Sequence, residues 1–194
     1  MEMKFYRDNI KEPFLDNFIK DFYTFKISNQ ISTTPNNEHY CSDSILLDLI
    51  ENSDRFDDYQ KANNNKKLIH IDRSFTKFTK KYNSKFVYFL QKKFLQSSII
   101  SSGNFLYPKN GYMGWHTNAD TPYLRCYITY SENGDSYFKY RDPITKEIIT
   151  DKDNLGWTLR YFKISNKIDE LLWHCVYSNT TRISMGYRII NNLK

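Results

Sequence analysis

A chain of 194 residues is long enough for one domain with its own core, and 40% hydrophobic residues with only 6 Gly and 5 Pro exclude a disordered or low-complexity protein. The net charge of +6 admits an anionic partner, nucleic acid included, although the Lys, Asn and Ile that dominate here are also what AT-rich coding favours. The three cysteines, Cys41, Cys126 and Cys175, have no zinc-type spacing, and Cys126 and Cys175 lie in apolar runs, which reads as buried thiols in a reducing compartment.

The N-terminus, Met1-Glu2-Met3-Lys4, has no apolar signal core, and no apolar run is long enough to span a bilayer. The expectation is a soluble cytoplasmic protein with no membrane partner. Phe14, Phe18, Phe22 and Phe25 recur at helical spacing, widened by Leu15 and Ile19, and predict a core-facing helix with Pro13 in its first turn. A polar loop over 29–41 follows. Ser42-Asp43-Ser44 then caps a short helix ending near Asn52. The Asn-rich stretch 51–67 reads as exposed loop, and 68–71 as a short strand. His39 and His70 stand apart from other ligand-type residues and read as surface or packing histidines. Phe75, Phe78, Tyr82, Phe86, Phe89, Leu90 and Phe94 mark a long amphipathic helix, with a break expected near Asn83-Ser84 and a lysine-rich outer face.

From residue 98 the texture changes. Helical period gives way to short runs rich in Tyr, Phe, Ile and Thr, separated by turn residues. Strands are expected at 103–107, 111–116, 124–130, 136–140, 147–150, 157–164, 171–177 and 182–190. So many short strands, without helices between them, predict a sandwich or jelly roll and exclude a doubly wound parallel sheet. The fold class is α+β, with helices of a 1–100 support region packed on one face of a 101–194 β core.

The chemistry-bearing residues lie in that second half. His116 ends one strand, in Gly114-Trp115-His116-Thr117-Asn118, and His174 lies on a later one, in Leu172-Trp173-His174-Cys175. Arg182 and Ser184 follow on the next strand, on one face by the period of two. Two histidines and a carboxylate suit Fe(II) with open positions. A buried arginine suits a fixed carboxylate, because its planar fork matches both oxygens. Strand alternation turns Trp115 and Trp173 away from the histidines, into packing. Tyr112 and Tyr127 either line a pocket or fill the interior.

This pattern resembles the 2-oxoglutarate- and Fe(II)-dependent oxygenase superfamily, of the prolyl-hydroxylase-like and phage-encoded kind, over roughly residues 103–190. Tyr107 falls nine residues before His116, as a tyrosine does before the first iron-binding histidine of that family. The resemblance implies a double-stranded β-helix and a hydroxylase using Fe(II), 2-oxoglutarate and O2. It implies that His116 and His174 hold iron, that Tyr107, Arg182 and Ser184 hold 2-oxoglutarate, and that Arg125 lines the site. The family's His-x-Asp or His-x-Glu is here His116-Thr117-Asn118. Three readings of the third metal position follow: Asn118 itself, weakly or through water; Asp120 swinging in; or two histidines alone, as some hydroxylase and halogenase members of that superfamily permit. For the primary substrate a protein side chain comes first by analogy, a nucleic-acid base second and a small metabolite third. The contrasting reading is a jelly-roll binding module without catalysis. The AT-rich bias with a phage-like motif points to a viral origin, and then to the host cytoplasm.

Overall fold

A computed structural model describes residues 5–24, 35–52, 66–71, 76–95 and 97–191. Phe25, Phe75 and residues 63–65 lie outside the described residues, as do the side chain of His70, residues 29–34 of the first expected loop and 53–65 of the second.

Among the described residues, three α-helices form where apolar side chains recur at helical spacing. Helix α1 (Pro13–Thr24) buries Leu15, Phe18 and Phe22. Helix α2 (Asp43–Asn52) follows a single 3-10 turn, Glu38–Cys41, and Ser42 caps it by accepting the Ile45 amide at 3.4 Å. Helix α3 (Thr76–Lys93) runs unbroken through Asn83-Ser84. The expected break is absent because Phe78, Tyr82, Phe86 and Leu90 continue one buried face across it. No described helix is long and apolar enough to cross a membrane.

The described strands are β1 (Tyr6–Asn9), β2 (Lys66–Lys67), β3 (Ile69–His70), β4 (Ser97–Tyr107), β5 (Gly111–His116), β6 (Leu124–Ser131), β7 (Ser136–Arg141), β8 (Ile148–Lys152), β9 (Gly156–Lys163), β10 (His174–Ser178) and β11 (Arg182–Asn191). They make two antiparallel sheets, a six-stranded one in the order β1-β9-β6-β11-β4-β3 and a five-stranded one in the order β2-β5-β10-β7-β8. The fold is therefore mixed α+β. Tyr107, Tyr127 and Phe162 of the larger sheet meet Met113, Phe138, Tyr140 and Val176 of the smaller one, so the two inner faces share one core.

The helices cover both outer faces, not the one face expected. Helices α1 and α3 pack on Cys126, Ile128, Leu159, Ile183 and Met185 of the larger sheet. Helix α2 and its 3-10 turn pack on Tyr112, Trp115, Cys175 and Tyr177 of the smaller. Each sheet carries an apolar row on its outer side, and each row needs cover. The first hundred residues also supply strands. β1 was invisible to periodicity because its place is set by pairing with β9 some 150 residues on, Tyr6 lying opposite Tyr161 with the rings stacked at 4.8 Å.

Candidate metal centre

Strands β5 and β10 bring the two histidines together. His116 is the last residue of β5, His174 the first of β10, and they are Cα partners in the ladder. The register slips between His174 and Val176, where β5 carries one extra residue. This bulge is what aims His116. Met113 and His116 both face the interior, while Tyr112 and Trp115 both face outward into the cluster under α2, which strict alternation would forbid. The imidazoles lie with centroids 4.1 Å apart and planes at 54°.

Their protonation follows from their partners. His116 Nδ1 is 2.8 Å from the Gly114 carbonyl oxygen, and His174 Nδ1 is 3.0 Å from that of Leu172. A carbonyl only accepts, so each Nδ1 carries its proton, and in a neutral ring Nε2 keeps a lone pair. The Asn118 amide nitrogen donates to His174 Nε2 at 3.0 Å, consistent with that tautomer. Burial holds the His116 pKa down at about 4. His174 is also held well below 6.5, by burial and then by His116 beside it. Both rings are thus neutral and ready to ligate at neutral pH.

This has a consequence for stability. Unfolded histidines protonate near 6.5, the folded ones far lower, so the unfolded chain binds more protons as pH falls. The metal-free protein is expected to keep its full stability above about pH 6.5 and to lose about 3 kcal/mol to His116 alone as pH falls towards 4. Urea unfolding between pH 7 and 4.5 checks this, and a flat profile would mean that the rings are solvated.

Tyr107, His116, Asn118, His174, Arg182 and Ser184 all wall one cavity of about 310 Å³. Asp120 does not. Asn118 sits at φ +55°, a backbone state asparagine tolerates, and accepts the Thr121 amide at 3.1 Å in a tight turn that leaves Asp120 exposed. Among the described residues no group of three or more His, Cys, Asp or Glu side chains is placed to hold a metal, because the third neighbour of the two histidines is an amide. Phe138 stacks on His174 at 5.3 Å and Phe162 meets it edge-on at 5.8 Å, a dry wall behind the ring. Arg125 and Tyr127 line the cavity too, and Arg125 donates to the Thr121 carbonyl at 3.2 Å and to its hydroxyl.

At the other end, Arg182 lies with its guanidinium carbon 5.2 Å from the Tyr107 ring centroid. Its Nε donates to Asp153 at 2.8 Å and its Nη2 reaches the Thr129 hydroxyl at 3.5 Å, while buried Nη1 has no partner among the described residues. Asp153 also accepts from Arg160 Nη1 at 2.6 Å and from Ser136 at 2.6 Å. Burial alone would raise the Asp153 pKa, but Arg182 and Arg160 overcome it and hold the carboxyl well below the usual range. Asp153 and Arg160 were missed in the sequence. The available signal was an arginine on the same strand face as Thr158, where an uncompensated charge could not be left.

No protein-family model matches the chain, and no curated protein matches it. Among solved structures, the viral collagen prolyl hydroxylase of Paramecium bursaria Chlorella virus-1, in its complex with 2OG, is similar over 96% of each chain, at 13% sequence identity and a TM-score of 0.46. A likeness that loose bears on neither the site nor the reaction.

Proposed function

We propose that this protein is an Fe(II)- and 2-oxoglutarate-dependent oxygenase whose β core is a double-stranded β-helix. The fold reading is supported by strand order: β9-β6-β11-β4 face β5-β10-β7-β8, and the chain passes between the sheets at nearly every step from β4 to β11. All six proposed site residues lie in 101–194, which we take as the reacting core, with 1–100 supporting it.

One observation carries the functional reading. Two neutral imidazoles with Nε2 lone pairs share a cavity with a buried arginine that keeps an unused donor. His116 and His174 would hold the metal, as soft-to-borderline nitrogen ligands suited to Fe(II). Arg182 would hold the distal carboxylate of 2-oxoglutarate, which would satisfy its unpartnered Nη1. Ser184 and Tyr107 flank that end of the cavity. Bound together, iron and 2-oxoglutarate supply the oxidation of a C–H bond by O2 with release of succinate and CO2. The chain's own part is to hold both, keep the rings unprotonated and exclude water with Phe138, Phe162 and Val176. A cavity at the small end of the range for ligand sites fits a keto diacid and one substrate group, so a macromolecular substrate would present a single side chain. A protein side chain is the proposed substrate and a nucleic-acid base the alternative.

The deciding experiment is an anaerobic titration of the metal-free protein with Fe(II) and 2-oxoglutarate. A visible charge-transfer band saturating at one equivalent is expected. No band and no bound metal would leave the second reading, a catalytically silent binding module, which the amide at Asn118 favours.

Asn118→Asp tests the third position. A carboxylate there replaces a neutral donor beside the two rings, and aspartate tolerates the same positive φ. Fe(II) affinity is expected to rise roughly tenfold or more. Unchanged affinity in a metal titration would show that this side chain is not a ligand.

A further inference from the structure

Arg160 lines the same cavity as the two histidines and Arg182. It is fully buried on β9. Its Nε donates to Asp151 at 2.5 Å and its Nη1 to Asp153 at 2.6 Å. Its Nη2 is buried with no partner among the described residues, the same condition as Nη1 of Arg182. Both guanidinium groups are held on one carboxylate: Asp153 Oδ1 takes Arg160 and Oδ2 takes Arg182. Each arginine thus has a fixed plane, each keeps one buried terminal nitrogen without a partner among the described residues, and both residues line the same cavity.

The charges point the same way. Arg7, Asp151, Arg160, Asp153 and Arg182 form a continuous chain of ion pairs, with three guanidinium groups against two carboxylates. The excess positive charge lies among side chains that are mostly buried, where an unneutralised charge is costly. One more carboxylate would balance the set. The two carboxylates of this ion-pair chain, Asp151 and Asp153, have their oxygens already engaged.

We infer that Arg160 is a second anchor for the co-substrate: Nη2 of Arg160 and Nη1 of Arg182, aligned by Asp153 between them, grip the two oxygens of one distal carboxylate. The inference rests on the proposed use of 2-oxoglutarate and adds a selectivity to it. A site with two buried guanidinium arms takes a keto acid with a far carboxylate and discriminates against one without it, because the monoacid leaves both arms unpaired.

The test is calorimetric titration of the Mn(II)-loaded protein with 2-oxoglutarate and with 2-oxobutyrate, which lacks the distal carboxylate, for wild type and Arg160→Lys. Lysine keeps the charge against Asp153 but cannot hold Asp151, Asp153 and a ligand at once. The expected result is a roughly ten- to hundredfold loss of 2-oxoglutarate affinity with 2-oxobutyrate affinity unchanged. Equal losses for both acids would make Arg160 a structural residue only, and no loss for either would remove it from the site; both overturn the inference. A wild type that binds the two acids equally would overturn the co-substrate reading itself, and the second anchor with it. Should the variant fail to fold, a crystal structure of wild type with Mn(II) and 2-oxoglutarate decides. Carboxylate oxygens within about 3.2 Å of both arginines support the clamp, and Arg182 alone on the carboxylate overturns it.

Discussion

His174→Ala is expected to abolish metal binding at the site, with a loss well beyond the roughly 10- to 100-fold that removal of an outer partner costs. The reason lies in how few donors there are. His116 and His174 offer the two imidazole lone pairs in the cavity, and their third neighbour is a neutral amide whose present partner is His174 itself. Without His174 a metal would find one imidazole and an amide, too few to compete with water. The change also opens space against Phe138 and Phe162, so the variant must be shown to be folded before its titration is read. His39→Ala is the matched control. His39 sits on the 3-10 turn against Tyr40, at 4.0 Å between rings and outside the cavity wall. It is expected to bind metal as wild type does. Retained metal binding in His174→Ala would place the metal elsewhere.

Asp153→Asn is expected to have the largest effect on folding, a loss of about 3–5 kcal/mol. Asp153 neutralises two arginines whose side chains are 0% and 2% exposed. An asparagine can accept from one of them through its oxygen, but its NH2 then points at the other, donor against donor. The loss is read as a lower urea midpoint at unchanged slope. A change below about 1 kcal/mol would mean that the cluster is solvated in solution. On the inference that Arg160 and Arg182 share the distal carboxylate of 2-oxoglutarate, its addition should recover part of the loss.

The β core was readable because its signals are local. The run from Gly111 to His116, the turn residues on either side and the strand from Arg182 each announce themselves within ten residues. The two histidines and the Arg-x-Ser could be assigned to strands from that pattern, while their roles came only as what the family resemblance implies. What could not be read depends on distant partners. The bulge in β5 that turns His116 inward appears only against β10. Strand β1 exists only because β9 is there to pair with it. The Asp153–Arg182 bond spans 29 residues, and nothing around Asp153 in the chain marks it as an interior charge. Asn118 is the instructive case. The sequence offers both Asn118 and Asp120 as the third neighbour, with Asn118 in the family position, and the left-handed turn at Asn118 separates the one that faces the histidines from the one that faces solvent.

The acceptors that orient the two imidazoles are main-chain carbonyls two residues upstream on the same stretch of chain, Gly114 for one and Leu172 for the other. Asn118 adds a side-chain contact only at the far nitrogen of His174, on the side opposite to its main-chain acceptor. Replacing Asn118 therefore leaves both main-chain acceptors in place, and the pair can keep its Nδ1 protons with a carboxylate, an amide or a small residue at the third position. The bulged ladder of β5 and β10 is in this sense a self-contained cassette. It would keep its two nitrogen donors through changes of chemistry, or through loss of activity, and could be grafted onto another antiparallel pair without bringing the rest of the pocket along.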